Sequence, residues 1–445
     1  MTLAKPQLIL ISIAGFVILL LVLVFTGIIP GLQDKNPTQT VKAELQFWGI
    51  FDAVQKYDDA FNNFKKTYPG VTIKYRGFDT PEEYETAVLE ALAAGRGPDV
   101  FMIPNTDLFR HLNKIIPVPP KTKNNSVDFS ILKVRQLFPK TVEQDFTFKG
   151  DVYGLPLSID TLALIYNRDF LNQAGVPLPP ENWDDFKNLM PKLVKKDQNK
   201  NILKAGAAIG GSNQNINEAT DLLYALMLQF LEPTNKKMVS QDLKSASFAT
   251  KEGADALGFY TSFADPKNEF YTWNGSLSNS LDAFAEGKIG IIFDYAAIIP
   301  EIKERNPFLD VLIAPFPQQK ESPQIINYPS YWGYVVSRQS KYQTIAWQFI
   351  INLTTDLGNA KGYVEKTKKP PALLSLINQN LNDPNLNVFA RQALTARSWP
   401  KIDSIAVDRI FSETIESVIT NQVKTGDALR NAQNQVTELM KKRIF

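Results

Sequence analysis

From residue 43 onward, the sequence alternates between segments with the period of a β-strand and segments with the period of an α-helix. Apolar residues occupy every second position in 43–47 and again in 71–75, as expected for half-buried strands. Between them, in 54–68, apolar residues recur at steps of three and four, which predicts an amphipathic helix. The continuous apolar run 100–103 is typical of a strand buried on both faces. Strands that alternate with helices predict right-handed crossovers and an open α/β sheet.

A second α/β unit begins near residue 150. Its predicted elements are strands at 162–166, 289–293 and 334–336, and helices at 183–196, at 278–286 and from Ile345 onward. The C-terminal segment carries apolar stripes from Ile410 to Leu439 and is predicted to be helical. At roughly 150 residues per domain, a chain of 445 residues is long enough for two to three globular units.

Charge and composition exclude several kinds of site. The formal net charge is only +2, from 48 Lys and Arg against 46 Asp and Glu, which is too balanced for a protein that binds nucleic acid by neutralising phosphates. The sequence contains no cysteine, which excludes disulfides, thiolate nucleophiles and iron–sulfur clusters. The single histidine, His111, excludes a multi-histidine metal site. We therefore predict no metal, no cofactor and no nucleic acid partner.

The N-terminus carries a long apolar segment. Residues 6–33 contain no charged side chain, and about 20 apolar residues are enough to span a bilayer core. A cleavable signal peptide has a shorter apolar region of ~7 to 15 residues that ends at small residues. We therefore predict an uncleaved transmembrane helix at 1–33 and a polar linker at 34–42, with late cleavage as the alternative. Lys5 precedes the run, which predicts a cytoplasmic N-terminus and an extracytoplasmic remainder on the cell membrane.

Six segments together resemble one known family. They are LQFWG at 45–49, LAAGRGPDVFMI at 92–103, GDVYGLPLSIDTLALIYNRDF at 150–170, GVPLPPENWDDF at 175–186, DAFAEGKIGIIFDY at 282–295 and YWGYVVS at 331–337. Their order and spacing resemble the family 1 extracellular solute-binding proteins, the maltose-binding-protein-like sugar receptors of ABC importers. The resemblance covers nearly all of residues 43–445.

The resemblance implies a two-lobed α/β fold of the periplasmic-binding-protein type II class, with a hinge between the lobes. We expect lobe 1 to comprise 43–157, with 325–357 returning to it. Lobe 2 is expected to comprise 158–324, with 358–445 completing it. In this family the ligand lies between the lobes at the carboxyl ends of strands, where open α/β sheets also bind ligands on general grounds.

Residues that follow the predicted strands are candidates for binding a saccharide. Sugar hydroxyl groups hydrogen-bond to carboxylates and amides, whereas the apolar faces of a sugar pack on aromatic rings. In lobe 1 these candidates are Trp48, Phe51, Asp52, Asn105 and Asp107. Trp48 is equally well explained as a core residue that caps the sheet, and Asp107 as the N-cap of a helix.

The resemblance itself supplies further candidates. Asp160 lies in the crossing segment where the maltose-receptor pattern has a sugar-binding acid, with a simple turn aspartate as the alternative. Asp294 and Tyr295 follow a buried strand and match a family position that often bears a stacking aromatic ring.

The last candidates lie nearer the C-terminus. Tyr331 and Trp332 precede Gly333, where sugar receptors often place an aromatic residue beside glycine, although Trp332 competes with a buried packing role. Arg397 and Trp399 are weaker candidates, with packing against Pro400 as the alternative for Trp399.

The resemblance implies a solute-binding protein that captures a mono- or oligosaccharide between its lobes and delivers it to the transmembrane subunits of an ABC permease. No catalytic residue is predicted. Because the 46 acidic residues offer many carboxylate pairs, a surface-anchored carbohydrate-active enzyme is the first alternative. A sensor that presents its ligand to a signalling receptor is the second.

Overall fold

The computed structural model describes residues 15–19, 41–120, 127–199 and 201–443. The predicted transmembrane helix and linker, residues 1–42, lie outside the described residues apart from 15–19 and 41–42. Within the described part of the chain, no helix combines the length and apolar character that crossing a membrane requires.

Lobe 1 is built on a six-stranded sheet. In spatial order its strands are Val71–Phe78, Ala43–Ile50, Val100–Pro104, Trp332–Ser337 and Ile115–Ile116, with Leu155–Pro156 also paired to Trp332–Ser337. The first three strands are parallel, whereas Trp332–Ser337 runs antiparallel to its neighbours. Alternate residues at the start of Ala43–Ile50 are buried and exposed, as the sequence predicts.

The helices of lobe 1 pack around this sheet. They are Asp58–Thr67, Pro81–Ala93, Leu108–His111, Ile131–Leu137, Lys140–Phe146, Gln343–Thr355, Leu357–Thr367, Leu374–Asn380 and Asn387–Ala393. The helix predicted from residue 54 begins at Asp58, after a short 3-10 turn, because Asp58 and Asp59 suit the positive end of the helix dipole. The helix Pro81–Ala93 begins where Thr80 Oγ1 accepts the N–H of Glu83 at 3.4 Å.

Lobe 2 is built on a five-stranded mixed sheet. Its strands in spatial order are Lys195–Lys196, Ile202–Ala207, Ile289–Asp294, Ala163–Asn167 and Val311–Ala314. Its helices are Arg168–Gln173, Trp183–Leu193, Ala219–Leu231, Lys251–Ser262, Ser280–Ala285, Ile299–Arg305, Ser404–Ile419 and Thr425–Arg443. The helix predicted to run to residue 196 ends at Leu193, because the chain there turns into the edge strand.

Each lobe has its own apolar core, and the cores correct the expected division of the chain. Helix Leu357–Thr367 packs on the lobe 1 core through Tyr363 and Val364, not on lobe 2, because its apolar face meets helix Gln343–Thr355. The two C-terminal helices, within residues 404–443, join the lobe 2 core. Tyr328 also packs in the lobe 2 core, although it lies in the segment expected to return to lobe 1.

Within the described residues the chain passes between the cores in three places. The first two passages, Asp160–Thr161 and Pro329–Ser330, pair with each other as short antiparallel strands. The third lies at residues 394–398, between Ala393 in the lobe 1 core and Trp399 in the lobe 2 core. A separate hairpin, Thr147–Phe148 with Asp151–Val152, lies in lobe 1.

Candidate functional site

A cavity of about 200 Å³ lies between the two lobes, beside the first two passages. Its walls come from both lobes and from the passages themselves, and most of the lining side chains are apolar or aromatic. The lining residues are Ile50, Phe51, Met102, Leu157, Ser158, Asp160, Tyr295, Ala297, Ser330, Tyr331, Trp332, Tyr334, Tyr363 and Lys369. Five of the predicted binding residues, Phe51, Asp160, Tyr295, Tyr331 and Trp332, therefore meet at one cavity.

Phe51 and Trp332 are two of the aromatic residues on the lobe 1 wall. Phe51 leaves the end of its strand with a φ of 69°, a left-handed conformation that is strained for a bulky residue. Its ring is half exposed and meets Trp332 edge to face, with ring centres 5.8 Å apart. The ring of Trp332 also meets the ring of Tyr84 edge to face, with ring centres 5.7 Å apart. Trp332 is thus supported by lobe 1 packing while part of its ring lines the cavity.

Tyr331 is held by a buried carboxylate that joins several segments. Its hydroxyl donates to Asp145 at 2.7 Å, and the amide of Asn105 donates to the same carboxylate at 3.0 Å. Thr141 and Ser398 also donate to Asp145. Burial raises the pKa of Asp145 to about 6, although these hydrogen bonds oppose the rise. The Asp145 cluster links lobe 1 to the second and third passages.

Asp160 lies in the first passage and faces lobe 2. Its carboxylate accepts backbone N–H groups of Thr161 at 2.9 Å, Ala296 at 3.1 Å and Ala297 at 3.3 Å. Burial raises the pKa of Asp160 to about 7, and these three N–H groups oppose that rise. Its remaining lone pairs are available to a ligand in the cavity.

Tyr295 forms part of the lobe 2 wall. It follows the buried strand Ile289–Asp294 directly, and its hydroxyl donates to Asp221 at 2.6 Å. The ring is buried and lines the cavity.

Asp52 lies next to the cavity and holds a lysine that sequence reasoning missed. Each of its two carboxylate oxygens lies 2.8 Å from Lys369 Nζ and accepts a hydrogen bond from it. The hydroxyl of Tyr363 also donates to this carboxylate, at 2.7 Å. Lys369 and Tyr363 line the cavity. Asp52 therefore affects the cavity indirectly, by fixing the positions of these two lining side chains.

Besides Asp52, five predicted residues lie away from the cavity lining. Trp48 packs on Phe78, with ring centres 5.6 Å apart, and the guanidinium of Arg76 lies over the ring of Trp48. Asn105 belongs to the Asp145 cluster. Asp107 is buried, accepts from Ser404 and pairs with Arg110 at 3.5 Å, and its side chain does not cap the helix that follows it. Asp294 and Arg397 are also absent from the lining. A ligand-binding role for these residues stays a prediction.

The carboxylate of Asp294 is buried and accepts the N–H of Tyr295 at 2.8 Å. Burial raises its pKa to about 7, and the nearby charge of Asp160 adds to the rise. Arg397 donates through Nη1 to the carbonyl of Ala396 at 2.7 Å. Trp399 is buried in the lobe 2 core, as the packing alternative predicts.

A second, larger cavity of about 480 Å³ adjoins the first. It lies between residues 296–303 of lobe 2 and residues 367–386 of lobe 1, and both cavities are lined by Ala297 and Lys369. The interlobe cleft is therefore longer than the first cavity alone.

Sequence reasoning missed several lining residues, above all Lys369, Tyr363 and Tyr334. Lys369 lies in a loop followed by Pro370 and Pro371, and neither strand nor helix periodicity marks it. Tyr363 is presented by a helix that was expected in lobe 2. The usable signal for Tyr334 was its place two residues after Trp332 on the same strand, because alternate residues share one face.

The described residues contain no group of three His, Cys, Asp or Glu side chains arranged to hold a metal ion. His111 is buried at the end of the short helix Leu108–His111. Its ring meets that of Phe101 edge to face, with ring centres 6.3 Å apart. Burial lowers the pKa of His111 to about 3, so its ring is neutral at physiological pH.

Comparison with known families and curated proteins gives consistent matches. A family described as bacterial extracellular solute-binding protein matches residues 50–360. The maltodextrin-binding protein MdxE of Bacillus subtilis is 22% identical over 451 residues, which cover 97% of each chain. The galactooligosaccharide-binding protein of the same organism is 23% identical over 379 residues, covering 83% of this chain and 81% of that protein.

Solved structures share the fold. A cyclo/maltodextrin-binding protein complexed with maltotetraose superposes with a TM-score of 0.71 at 19% identity, covering 91% of this chain and 98% of the other. The sugar-binding protein MalE from Xanthomonas citri gives the same TM-score and identity over 90% of this chain and 98% of the other. The predicted two-lobed periplasmic-binding-protein fold of type II is thus confirmed.

Proposed function

This chain belongs to the bacterial extracellular solute-binding protein family, and we propose that it captures an oligosaccharide between its lobes and delivers it to an ABC permease. Proteins of this family bind solutes and are not enzymes. The observation that carries the proposal is the interlobe cavity, where Trp332, Phe51 and Tyr295 surround a space also lined by Asp160 and Lys369.

The chemistry of this cavity suits a sugar. Aromatic rings pack on the apolar faces of a pyranose or furanose, and carboxylate and hydroxyl groups bond to its hydroxyls. The lining supplies rings from both lobes and polar atoms from the passages at Ser158, Asp160 and Ser330. Curated relatives named for maltodextrin and galactooligosaccharide binding favour the same ligand class, and the second cavity offers room for further sugar units.

Transport would follow from closure of the lobes on the ligand. A ligand that contacts both lobes stabilises the closed arrangement, because those contacts are lost when the lobes separate. The permease would recognise the closed form. The three passages between the cores are the segments about which such a motion would occur.

Ligand recovery separates binding from catalysis. The full chain, solubilised in detergent, is titrated calorimetrically with maltotriose, arabinotriose and galactotriose. We expect saturable binding of one class, and the bound sugar, released by denaturation and examined by mass spectrometry, should be chemically unchanged. Turnover that persists through purification and disappears with Asp160→Asn would favour the enzyme alternative.

We also propose that residues 1–33 tether the protein to the membrane. The support is the uncharged run 6–33, which is long enough to span a bilayer core. Intact-mass analysis of protein extracted from membranes should find residues 1–30 retained, and a variant that starts at Ala43 should appear in the soluble fraction. A mature protein that starts near residue 30 to 40 would contradict the tether.

A further inference from the structure

A lysine side chain lies buried behind the lobe 2 wall of the cleft. Lys401 is 5% exposed, and its Nζ lies 2.9 Å from Asp408 Oδ1 and 3.5 Å from Asp221 Oδ1. The ammonium also lies 4.5 Å from the ring centre of Tyr224. Burying such a charge is expensive even when it is paired, and apolar residues often replace buried ion pairs without loss of stability. This lysine therefore calls for an explanation other than stability.

Each carboxylate that Lys401 holds also holds one tyrosine hydroxyl. Asp221 uses its second oxygen, Oδ2, to accept from Tyr295 at 2.6 Å. Asp408 accepts from Tyr224 at 2.8 Å. Lys401 thus fixes the positions of two acceptors, and one of them holds an aromatic residue that lines the cavity.

The geometry assigns Lys401 as a positioning residue that, through Asp221, fixes the ring of Tyr295 on the cleft wall before the ligand arrives. The assignment rests on the proposed saccharide function of the cleft. A ring already held in the bound orientation need not be ordered when the ligand binds, which improves affinity without any added contact. Lys401 and Asp221 themselves are not part of the cavity lining.

The charge of Lys401 acts on the hydrogen bond of Tyr295. Burial raises the pKa of Asp221, and the ammonium of Lys401 opposes that rise. Asp221 belongs to a cluster of acidic residues that also contains Asp408, Glu218 and Asp294. A hydrogen bond to an ionised carboxylate is roughly twice as strong as one between neutral groups. Without Lys401, Asp221 gains a proton more readily, and its hold on Tyr295 weakens.

The backbone of Lys401 connects the same group to lobe 1. Its N–H donates to the carbonyl of Thr106 at 3.0 Å, just after the strand Val100–Pro104. The side chain therefore supports the lobe 2 wall, while its backbone is attached to lobe 1 just after the third passage.

The first test needs no ligand. Tyr295 is replaced by 3-fluorotyrosine in the full chain, in detergent, and its ¹⁹F resonance is recorded. We expect Lys401→Met to shift and broaden this resonance, and Asp221→Asn to do the same as a second, less disruptive variant. Lys288→Met removes an exposed ion pair with Glu286 in lobe 2. This variant is the control, and its ¹⁹F resonance should have the same position and width as in the unmodified chain. An unchanged resonance in folded Lys401→Met and Asp221→Asn proteins would overturn the assignment.

The second test measures affinity for whichever of maltotriose, arabinotriose and galactotriose binds. Tyr295→Phe keeps the ring and removes only the hydroxyl, and we expect binding up to roughly tenfold weaker, because a ring that is no longer held must be ordered when the ligand binds. Tyr166→Phe, in the same lobe but off the cavity, should bind as the unmodified chain does. The double variant with both Lys401→Met and Tyr295→Phe should bind only slightly more weakly than Tyr295→Phe alone. Both changes act through the same hydrogen bond, between Tyr295 and Asp221.

The outcomes of the two tests separate the two ideas. Fully additive losses from Lys401→Met and Tyr295→Phe would contradict positioning through Asp221. If none of the three sugars binds the unmodified chain, the proposed saccharide function fails, whereas the ¹⁹F result still decides whether Lys401 fixes Tyr295.

Discussion

Replacing Trp332 with alanine is expected to weaken saccharide binding by roughly ten- to a hundredfold, as for an aromatic anchor that loses its whole contact face. Trp332 lines the cavity and supports the ring of Phe51 at 5.8 Å, so the substitution removes one stacking surface and loosens another. Calorimetric titration measures the affinity, and a thermal melt without ligand measures the cost to folding.

The melt is needed because Trp332 also packs against Tyr84 at 5.7 Å. Truncating a fully buried tryptophan costs about 3 to 5 kcal/mol, and the half-buried Trp332 should cost less. Trp347→Phe, a change inside the lobe 1 core, is the control that should lower the melting temperature and leave affinity intact. If Trp332→Ala behaves like this control, Trp332 is a packing residue only.

The architecture of each lobe was predictable because it rests on local periodicity. Alternation in 43–47 and the apolar run 100–103 depend on burial of one or both strand faces, and both became strands. The later course of the chain was less predictable. Helix Leu357–Thr367 is placed in lobe 1 by its contacts with helices Gln343–Thr355 and Asp58–Thr67, and its own periodicity does not reveal these partners.

The site was predictable where residues follow strands that end at the cleft. Phe51 and Tyr295 come directly after such strands, and the structure places both on the cavity wall. Trp48 lies only three residues before Phe51, yet its ring packs elsewhere. Strand alternation predicts which residues share a face, but the left-handed turn at Phe51 redirects the chain in a way that periodicity does not reveal.

Lys369 and Lys401 were missed for a different reason. Lys369 is held by Asp52, which is far away in sequence. Lys401 is held by Asp408, which lies close to it in sequence, and by Asp221, which is far away. A lysine in a loop is usually a solvated surface residue. Only the folded chain brings these partners together, so no spacing rule in one sequence identifies them.

Asp160→Asn is expected to weaken binding by roughly ten- to a hundredfold, because losing a hydrogen bond to a charged group costs about 1.5 to 3 kcal/mol. The carboxylate already accepts the N–H groups of Ala296 and Ala297, so it is fixed where the first passage meets lobe 2. A sugar hydroxyl that donates to its free lone pairs would contact a rigid acceptor. Calorimetric titration of the variant and the unmodified chain measures the loss.

The pH dependence distinguishes this role from a structural one. Burial raises the pKa of Asp160 from its ordinary 3.8 to about 7, so the folded chain binds a proton that the unfolded chain has released. Stability without ligand should therefore fall as pH rises from about 4 to about 7. Affinity should change in the opposite direction, because a hydroxyl donor prefers the ionised carboxylate, and binding near pH 7 should release a proton.

Burial raises the pKa of Asp294 to the same range, and the negative charge of Asp160 adds to the rise, so the Asp294 variant is the control. In Asp294→Asn the rise of affinity with pH should persist with a lower midpoint, since one neighbouring negative charge is gone. In Asp160→Asn the rise should be lost, together with the proton release seen by calorimetry in buffers of different ionisation enthalpy. If Asp160→Asn keeps both the affinity and its pH dependence, Asp160 only fixes the chain at Ala296 and Ala297, and the ligand is held by other residues.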